Sequence, residues 1–372
     1  MIDVIIPAYN AHETIKNTLM SLAFQRLCHL LDVYIIDDHS NTGYQNDIQY
    51  FLENKFFHSL NIYRNEKNMG VGYCRNISLN ISKKTNNPWI FFIDSDDYMA
   101  TPYAFNQYLL LADTYKNAKV IYSSVHQEMS DISTYPVDYD YKNHVTTDKR
   151  GNILYLHGRI YNRAAIENIN LAFPKTRSNE DIAFNLTFFQ VYDKPDEIVF
   201  DKHNLVCTNY NIHSITRSKN STRQSMTVQS VNEMYDGFIA CLETIQVLKD
   251  VYKQENKLST AINCSNFVDK FLFDTFKYIT LKFNSNEEKE LWSLIHAKYY
   301  QEIISPLLAN TPITYSFKYQ WFNNGITFGL TESMLPKAQE YLKNIKTAYN
   351  DDRFQELSKK YLTDSGYSKS TL

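Results

Sequence analysis

The sequence predicts an α/β protein: a mostly parallel sheet flanked by helices, followed by a region that is mainly helical. Three observations carry this. Short apolar runs recur through the first 125 residues, at Asp3–Pro7, Asp32–Asp37, Leu60–Tyr63, Trp89–Ile93 and Lys119–Tyr122. They are continuous instead of alternating, as strands covered on both faces are. Amphipathic stretches of roughly 10–15 residues separate them, the rhythm of a parallel sheet with crossover helices. Beyond about Ser225 the apolar residues fall at i, i+3 and i+4, a helical period.

Taken in order, the first strand leads to a helix over His12–Arg26, where Ile15, Leu19, Leu22 and Phe24 keep roughly helical spacing. The second leads to a helix over Asn46–Lys55 and the third to one over Gly72–Lys83. From Ser123 to Arg150 the period dissolves into Tyr, Asp, Thr and Asn, which reads as a long connection or a small antiparallel excursion. Structure resumes at Ile153, with a helix over Glu180–Phe189 and short strands at Glu197–Phe200 and Leu205–Tyr210. Helices then follow at Val228–Val251, Ala261–Phe283, Glu287–Leu308 and Leu335–Tyr349, and Asp364–Leu372 is a polar end. The expected division is 1–222 for the α/β domain and 223–372 for the helical one, which would bind an acceptor or form oligomers.

Composition excludes several classes. A hydrophobic content of 44% is enough for a core, and a net charge of −3 argues against a generally basic nucleic-acid binder. No run approaches the roughly 18 apolar residues of a membrane-spanning helix. Asp3 falls where a leader would be basic or apolar, so a cytoplasmic protein is expected, free or peripheral at the inner membrane face. The five cysteines form no CxxC pair and read as reduced thiols. Only nine of 372 residues are glycine, and five of those lie before residue 160.

The polar residues locate a site. Four of the apolar runs end at their carboxyl side in polar clusters: Pro7-Ala-Tyr-Asn10, Asp37-Asp-His-Ser40, Arg64 to Gly70, and Asp94-Ser-Asp-Asp97. Open α/β sheets bind ligands at that edge. Asp94, Asp96 and Asp97 would repel one another without a cation, and a hard divalent ion such as Mg²⁺ or Mn²⁺ suits them. Gly70-x-Gly72 at a helix start lets backbone N–H groups approach an anion, with Arg75 adding positive charge. Glu180 and Asp181 open a helix, where they act as dipole-stabilising residues or, beside a cation site, as a general base. His213 and Arg217 follow a strand and offer an imidazole and a guanidinium.

Together, Val4-Ile-Ile-Pro-Ala-Tyr-Asn10, Ile36-Asp-Asp-His-Ser40, Asn68-Met-Gly-Val-Gly-Tyr-Cys-Arg-Asn76, Phe92-Ile-Asp-Ser-Asp-Asp97, Asn179-Glu-Asp181 and His213–Arg217 resemble the family 2 glycosyltransferases, in that family's order over about residues 1–220. The resemblance implies a GT-A fold with a helical C-terminal extension. It also implies a nucleoside-diphosphate-sugar donor, most often a UDP-sugar, and transfer with inversion. By the same resemblance Pro7, Tyr9 and Asp38 line the nucleoside pocket beside Asn68, Gly70 and Arg75. Asp94 and Ser95 approach the ribose or the ion. Asp96, Asp94 and His213 ligate Mn²⁺ or Mg²⁺, Arg217 neutralises the diphosphate, and Asp181 is the base with Glu180 beside it at the acceptor.

Two departures stand out. His39 replaces the usual glycine after the paired aspartates, and Leu156-His-Gly-Arg-Ile-Tyr161 replaces the commoner Trp/Asn-Lys pattern. The latter resembles members acting on wall polymers and phage-encoded members, with His157 and Gly158 shaping the donor-sugar or acceptor pocket. The acceptor is then a glycan, a wall polymer or a hydroxymethylated DNA base. Two other classes remain open at this point: a transferase-like binding protein without turnover, and a nucleotidyltransferase on a similar sheet.

Overall fold

The structure, a computed structural model, describes residues 1–127, 156–176, 180–192, 194, 196–209, 247, 251, 285–299, 321–323, 326–328 and 350–362. Strand β1 (Ile2–Ala8) is buried at every position, because it runs between β2 (Leu31–Asp37) and β4 (Trp89–Phe92) under helices on both faces. Helices α1 (Ile15–Ala23), α2 (Gln45–Asn54) and α3 (Val71–Ile81) supply the crossovers, with β3 (Ser59–Arg64) outermost. These three crossovers make β1, β2, β3 and β4 parallel, which brings their carboxyl ends to one edge.

Beyond β4 the sheet becomes mixed. The strands β5 (Tyr98–Met99), β6 (Val120–Gln127), β7 (Arg159–Asn162) and β8 (Ile198–Thr208) complete an eight-stranded sheet in the order β3-β2-β1-β4-β7-β6-β8-β5. Strand β7 is antiparallel to both β4 and β6, so the residues preceding it, Leu156 to Gly158, arrive at the carboxyl edge of β4. Helix α5 (Arg163–Asn168) and helix α6 (Glu180–Val191) follow. This is the expected GT-A arrangement.

Several elements differ from the sequence reading. Helix α4 (Ala104–Thr114) was not foreseen, because the run Leu109-Leu-Leu111 blurs its period; Leu110 is exposed while Phe105, Tyr108 and Leu111 are buried. Strand β7 has only four residues and gives no pattern to detect. The two strands expected on either side of Asp201–Asn204 are one strand, β8, eleven residues long. Its exposed Lys202, His203 and Asn204 interrupt the apolar run but not the ladder, which shifts register against Ser123–Val125.

At the amino edge of the sheet lies a buried polar network. Arg163 pairs with Asp3 and donates from Nε to the Asn87 carbonyl at 2.8 Å. Asn87 Nδ2 donates to Asp3 Oδ1 and to Asp32 Oδ2, both at 2.7 Å, and His58 lies 2.8 Å from Asp32 Oδ1. The network ties β1, β2 and the start of α5 together at the end opposite the polar loops.

The chain divides into two compact units, Met1–Ser214 and Ile215–Leu372. In the second, helices α7 (Asn286–Tyr299) and α8 (Asp351–Leu362) pack together through buried Leu291, Leu294, Phe354 and Leu357. Arg353 clamps Glu290 at 3.0 and 2.8 Å, and Lys360 reaches Glu287 at 2.6 Å. A short antiparallel pair joins β9 (Trp321–Asn323) to β10 (Ile326–Phe328). Val247 and Val251 are helical, inside the expected 228–251 helix. The expected helices at 261–283 and 335–349 lie outside the described residues, whereas α8 was not foreseen. Among the described residues no helix is long and apolar enough to cross a membrane.

Candidate active site

Loops from the carboxyl ends of β1, β2, β3 and β4 meet, as the polar clusters predicted. Asn10 N–H donates to Ser40 Oγ at 2.8 Å, and Asn41 N–H donates to Asn10 Oδ1 at 2.7 Å, which locks the first two loops together. Asp37 accepts from the Ser40 N–H and pairs with Arg64. Tyr9 stands 49% exposed on this edge, an aromatic face open to a ligand.

Asp38 is buried, and its carboxylate organises the third loop. Oδ1 accepts from Asn65 Nδ2 and from the Met69 N–H, both at 2.8 Å; Oδ2 accepts from the Gly70 N–H at 2.7 Å. Asn68 Nδ2 reaches the Asp38 carbonyl at 3.4 Å. The carboxylate expected to line the nucleoside pocket thus also holds the loop that leads into α3.

His39, between these groups, has φ 64°, the left-handed conformation that glycine adopts without cost. The loop therefore keeps the shape that glycine would give it, and the imidazole sits 3.2 Å from the Asn65 carbonyl. A β-branched side chain tolerates this conformation poorly. His39→Val is expected to lower the unfolding free energy by roughly 1–2 kcal/mol, and His39→Gly to leave it within about 1 kcal/mol, both read by urea denaturation.

The fourth loop carries the acidic cluster. Thr18 Oγ1 of α1 donates to the Ser95 carbonyl at 3.0 Å and Asp97 N–H donates to the Asp94 carbonyl at 3.1 Å, fixing a tight turn. Asp97 Oδ1 accepts from the Asn209 N–H at 3.0 Å, and Oδ2 pairs with His157 Nδ1 at 2.9 Å. One ligand atom each from Asp94, Asp97 and His157 fall within 4.8 Å of one another. Two carboxylates and an imidazole with ligand atoms this close suit a divalent cation.

This cluster shares Asp94 with the expected ligand set. Among the described residues the structure gathers Asp94, Asp97 and His157, where the sequence reading chose Asp94, Asp96 and His213. Asp96 is on the same turn, while His213 and Arg217 lie outside the described residues, as do Ser178 and Asn179. His157 was read only as shaping a pocket, because nothing in the chain marks its approach to Asp97 sixty residues earlier. Gly158 was a usable signal. It has φ 69°, and a Cβ there would sit 2.8 Å from Val125 Cγ2, so only glycine permits the turn that presents His157.

Arg75, expected to lend charge to an anion, is buried and faces two carboxylates. Nη1 donates to Glu180 Oε1 at 2.9 Å and Nη2 to Asp94 Oδ1 at 2.8 Å, with the guanidinium over the Phe173 ring. Burial works against the charge of Asp94, but Arg75 and then His157 hold its pKa below the ordinary value. Burial also works against protonated His157, yet Asp97 first, then Asp94 and Asp181, raise it to about 9. Glu180 is raised to about 7 by burial and by the neighbouring Asp181, against the pull of Arg75. Glu180 therefore points inward to Arg75, and Asp181, partly exposed on the same turn, is the more accessible carboxylate.

The comparisons agree with this architecture. Residues 3–169 match the model of the family described as Glycosyl transferase family 2. Staphylococcus aureus TarS 1-349 in complex with UDP is similar in structure, with a TM-score of 0.59 at 16% identity over 99% of this chain and 93% of that one. The TarS 1-349 complex with UDP-GlcNAc gives 0.52 at 16% identity, over 89% and 99%. A longer TarS chain gives 0.52 at 17% identity, over 88% of this chain and 60% of that one. No curated protein sequence matches significantly.

Proposed function

Residues 3–169 are a family 2 glycosyltransferase domain, and from that premise we propose that the chain transfers a sugar from a nucleoside-diphosphate donor, a UDP-sugar, to an acceptor hydroxyl with inversion. The observation that carries this reading is the placement of the Asp94, Asp97 and His157 cluster next to the Arg75–Glu180 pair at the start of α6. A donor-side acidic cluster and an acceptor-side carboxylate, Asp181, then share one edge of the sheet. The UDP and UDP-GlcNAc complexes of the structurally similar TarS support the choice of uridine.

In this reading Tyr9 and Pro7 cover the nucleoside, while the loop held by Asp38, including Asn68 and Gly70, forms its other wall. Asp94, Asp97 and His157 would hold Mn²⁺ or Mg²⁺, with Asp96 and Ser95 on the same turn, and the resemblance gives His213 a ligand role as well. The imidazole favours Mn²⁺ over Mg²⁺. When bound, the ion stabilises the negative charge of the departing diphosphate, and Arg217 adds to that charge balance. Asp181 takes the proton from the acceptor oxygen as it attacks the anomeric carbon, on the face opposite the leaving group. The helical unit is assigned acceptor binding or self-association, and the acceptor is a glycan, a wall polymer or a hydroxymethylated base.

The test is a nucleotide-sugar panel scored by thermal shift with Mn²⁺ present, followed by measurement of the released nucleotide. A donor at 100 times its Kd is expected to stabilise the fold by about 2.7 kcal/mol. Turnover is expected to stop with EDTA and to return with Mn²⁺. Binding without release of nucleotide across the panel would favour a non-catalytic binding protein, and turnover indifferent to EDTA would remove the ion from the scheme.

A further inference from the structure

We propose that Arg75 is a positioning residue that ties the first turn of α6, and with it Asp181, to the donor-side turn at Asp94. The inference rests on the transferase reading above and deepens it, by assigning the contact that sets the two halves of the reaction against each other.

Three residues on one face of α3, at the i, i+3 and i+4 spacing that places side chains together, grip the same segment. Gly72 is the first. A Cβ at this position would lie 3.0 Å from the Pro174 carbonyl oxygen and 3.2 Å from Glu180 Cγ, so the helix presses against this segment with nothing between. Arg75 is the second, bridging Glu180 and Asp94 at 2.9 and 2.8 Å. Asn76 is the third: Nδ2 donates to the Phe173 carbonyl and Oδ1 accepts from the Phe173 N–H, both at 2.8 Å. Phe173 in turn stacks flat on Phe184 of α6, with ring centroids 4.1 Å apart and 7° between planes.

The alternative is that Arg75 contacts the nucleotide directly. Its side chain is only 5% exposed, both terminal nitrogens are engaged by carboxylates, and Nε is buried without a partner among the described residues. Stability alone is a weak reason for this arrangement, since buried ion pairs rarely outperform an apolar replacement. What a planar, two-pronged guanidinium provides here is a fixed spacing between two carboxylates that come from segments 86 residues apart in sequence. A shift of about 1 Å in a reacting group can cost on the order of 100-fold in rate.

The experiment uses the full chain and the variants Arg75→Met, Arg75→Lys and Gly72→Ala, with two readouts. One is the Kd for UDP in the presence of Mn²⁺, by calorimetry; the other is turnover of the best donor from the panel. Arg75→Met is expected to lower turnover about 100-fold, and Arg75→Lys and Gly72→Ala about tenfold each, with every UDP Kd within about threefold of wild type. Gly72→Ala keeps all the charges, so it reports on the spacing even where Arg75→Met folds poorly. A UDP Kd that weakens in step with turnover would make Arg75 a nucleotide ligand and overturn the inference, as would turnover unchanged in all three. A wild type that neither binds UDP nor releases it sinks the transferase reading and this inference together. A working wild type with insensitive variants sinks the inference alone.

Discussion

Asp181→Asn is expected to reduce sugar transfer by about 10²–10⁴-fold, the usual contribution of a general base, while the Kd for UDP with Mn²⁺ stays within about threefold. The acceptor hydroxyl is a poor nucleophile until its proton is removed, and amide replacement removes the acceptor of that proton without changing shape. The two carboxylates opening α6 are separated by their surroundings: Glu180 is buried against Arg75, and Asp181 is partly exposed. Environments that push adjacent acids apart are how roles are divided between them. Glu180→Gln, which keeps a hydrogen-bond acceptor for Arg75, is therefore expected to lose only about tenfold, through displacement. Transfer assays with released nucleotide as readout, paired with calorimetry, separate the two. Full transfer by Asp181→Asn would remove its role as base, and a larger loss in Glu180→Gln than in Asp181→Asn would exchange the assignments.

The parallel half of the sheet was legible because β1, β2 and β4 are apolar at nearly every position, a pattern that double-sided burial forces on a strand. The polar clusters that end those strands could be placed on one edge from strand direction alone. What escaped was everything that depends on antiparallel return. Strand β7 is four residues long, yet its direction brings His157 to Asp97, and no local periodicity encodes that meeting. Arg75 illustrates a second limit. A residue one turn into a glycine-started helix reads as a charge for an anion, and only the packing of α6 against α3 reveals that two carboxylates of the chain itself occupy it. The unforeseen α4 shows the opposite case, where too many leucines, including the exposed Leu110, hide a helical period. His39 shows that a missing glycine need not change a loop, since the left-handed backbone is retained at that position.

At the other edge of the sheet, Arg163→Met is expected to lower the unfolding free energy by about 3–5 kcal/mol, the cost of breaking a buried ion pair from one side. For a domain of this size that corresponds to a fall in Tm of roughly 10 °C. Asp3 is fully buried, and burial raises its pKa despite Asn87, Arg163 and Thr85, which oppose that shift. Its charge is thus tolerated only because those partners surround it. Without Arg163 the carboxylate would be left among β1, Asn87 and the neighbouring Asp32, and among the described residues no other cation pairs with it. Asp3→Asn in the same chain removes the stranded charge and keeps the acceptor for Asn87. The double variant Asp3→Asn/Arg163→Met is therefore expected to recover most of the loss, in the way that replacing both members of a buried pair is often close to neutral. Urea denaturation of the wild type, both single variants and the double closes the cycle. Simple additivity of the two losses would show that the pair does not act as a unit, and that the amino edge is held instead by the amide network of Asn87 and the packing of α5.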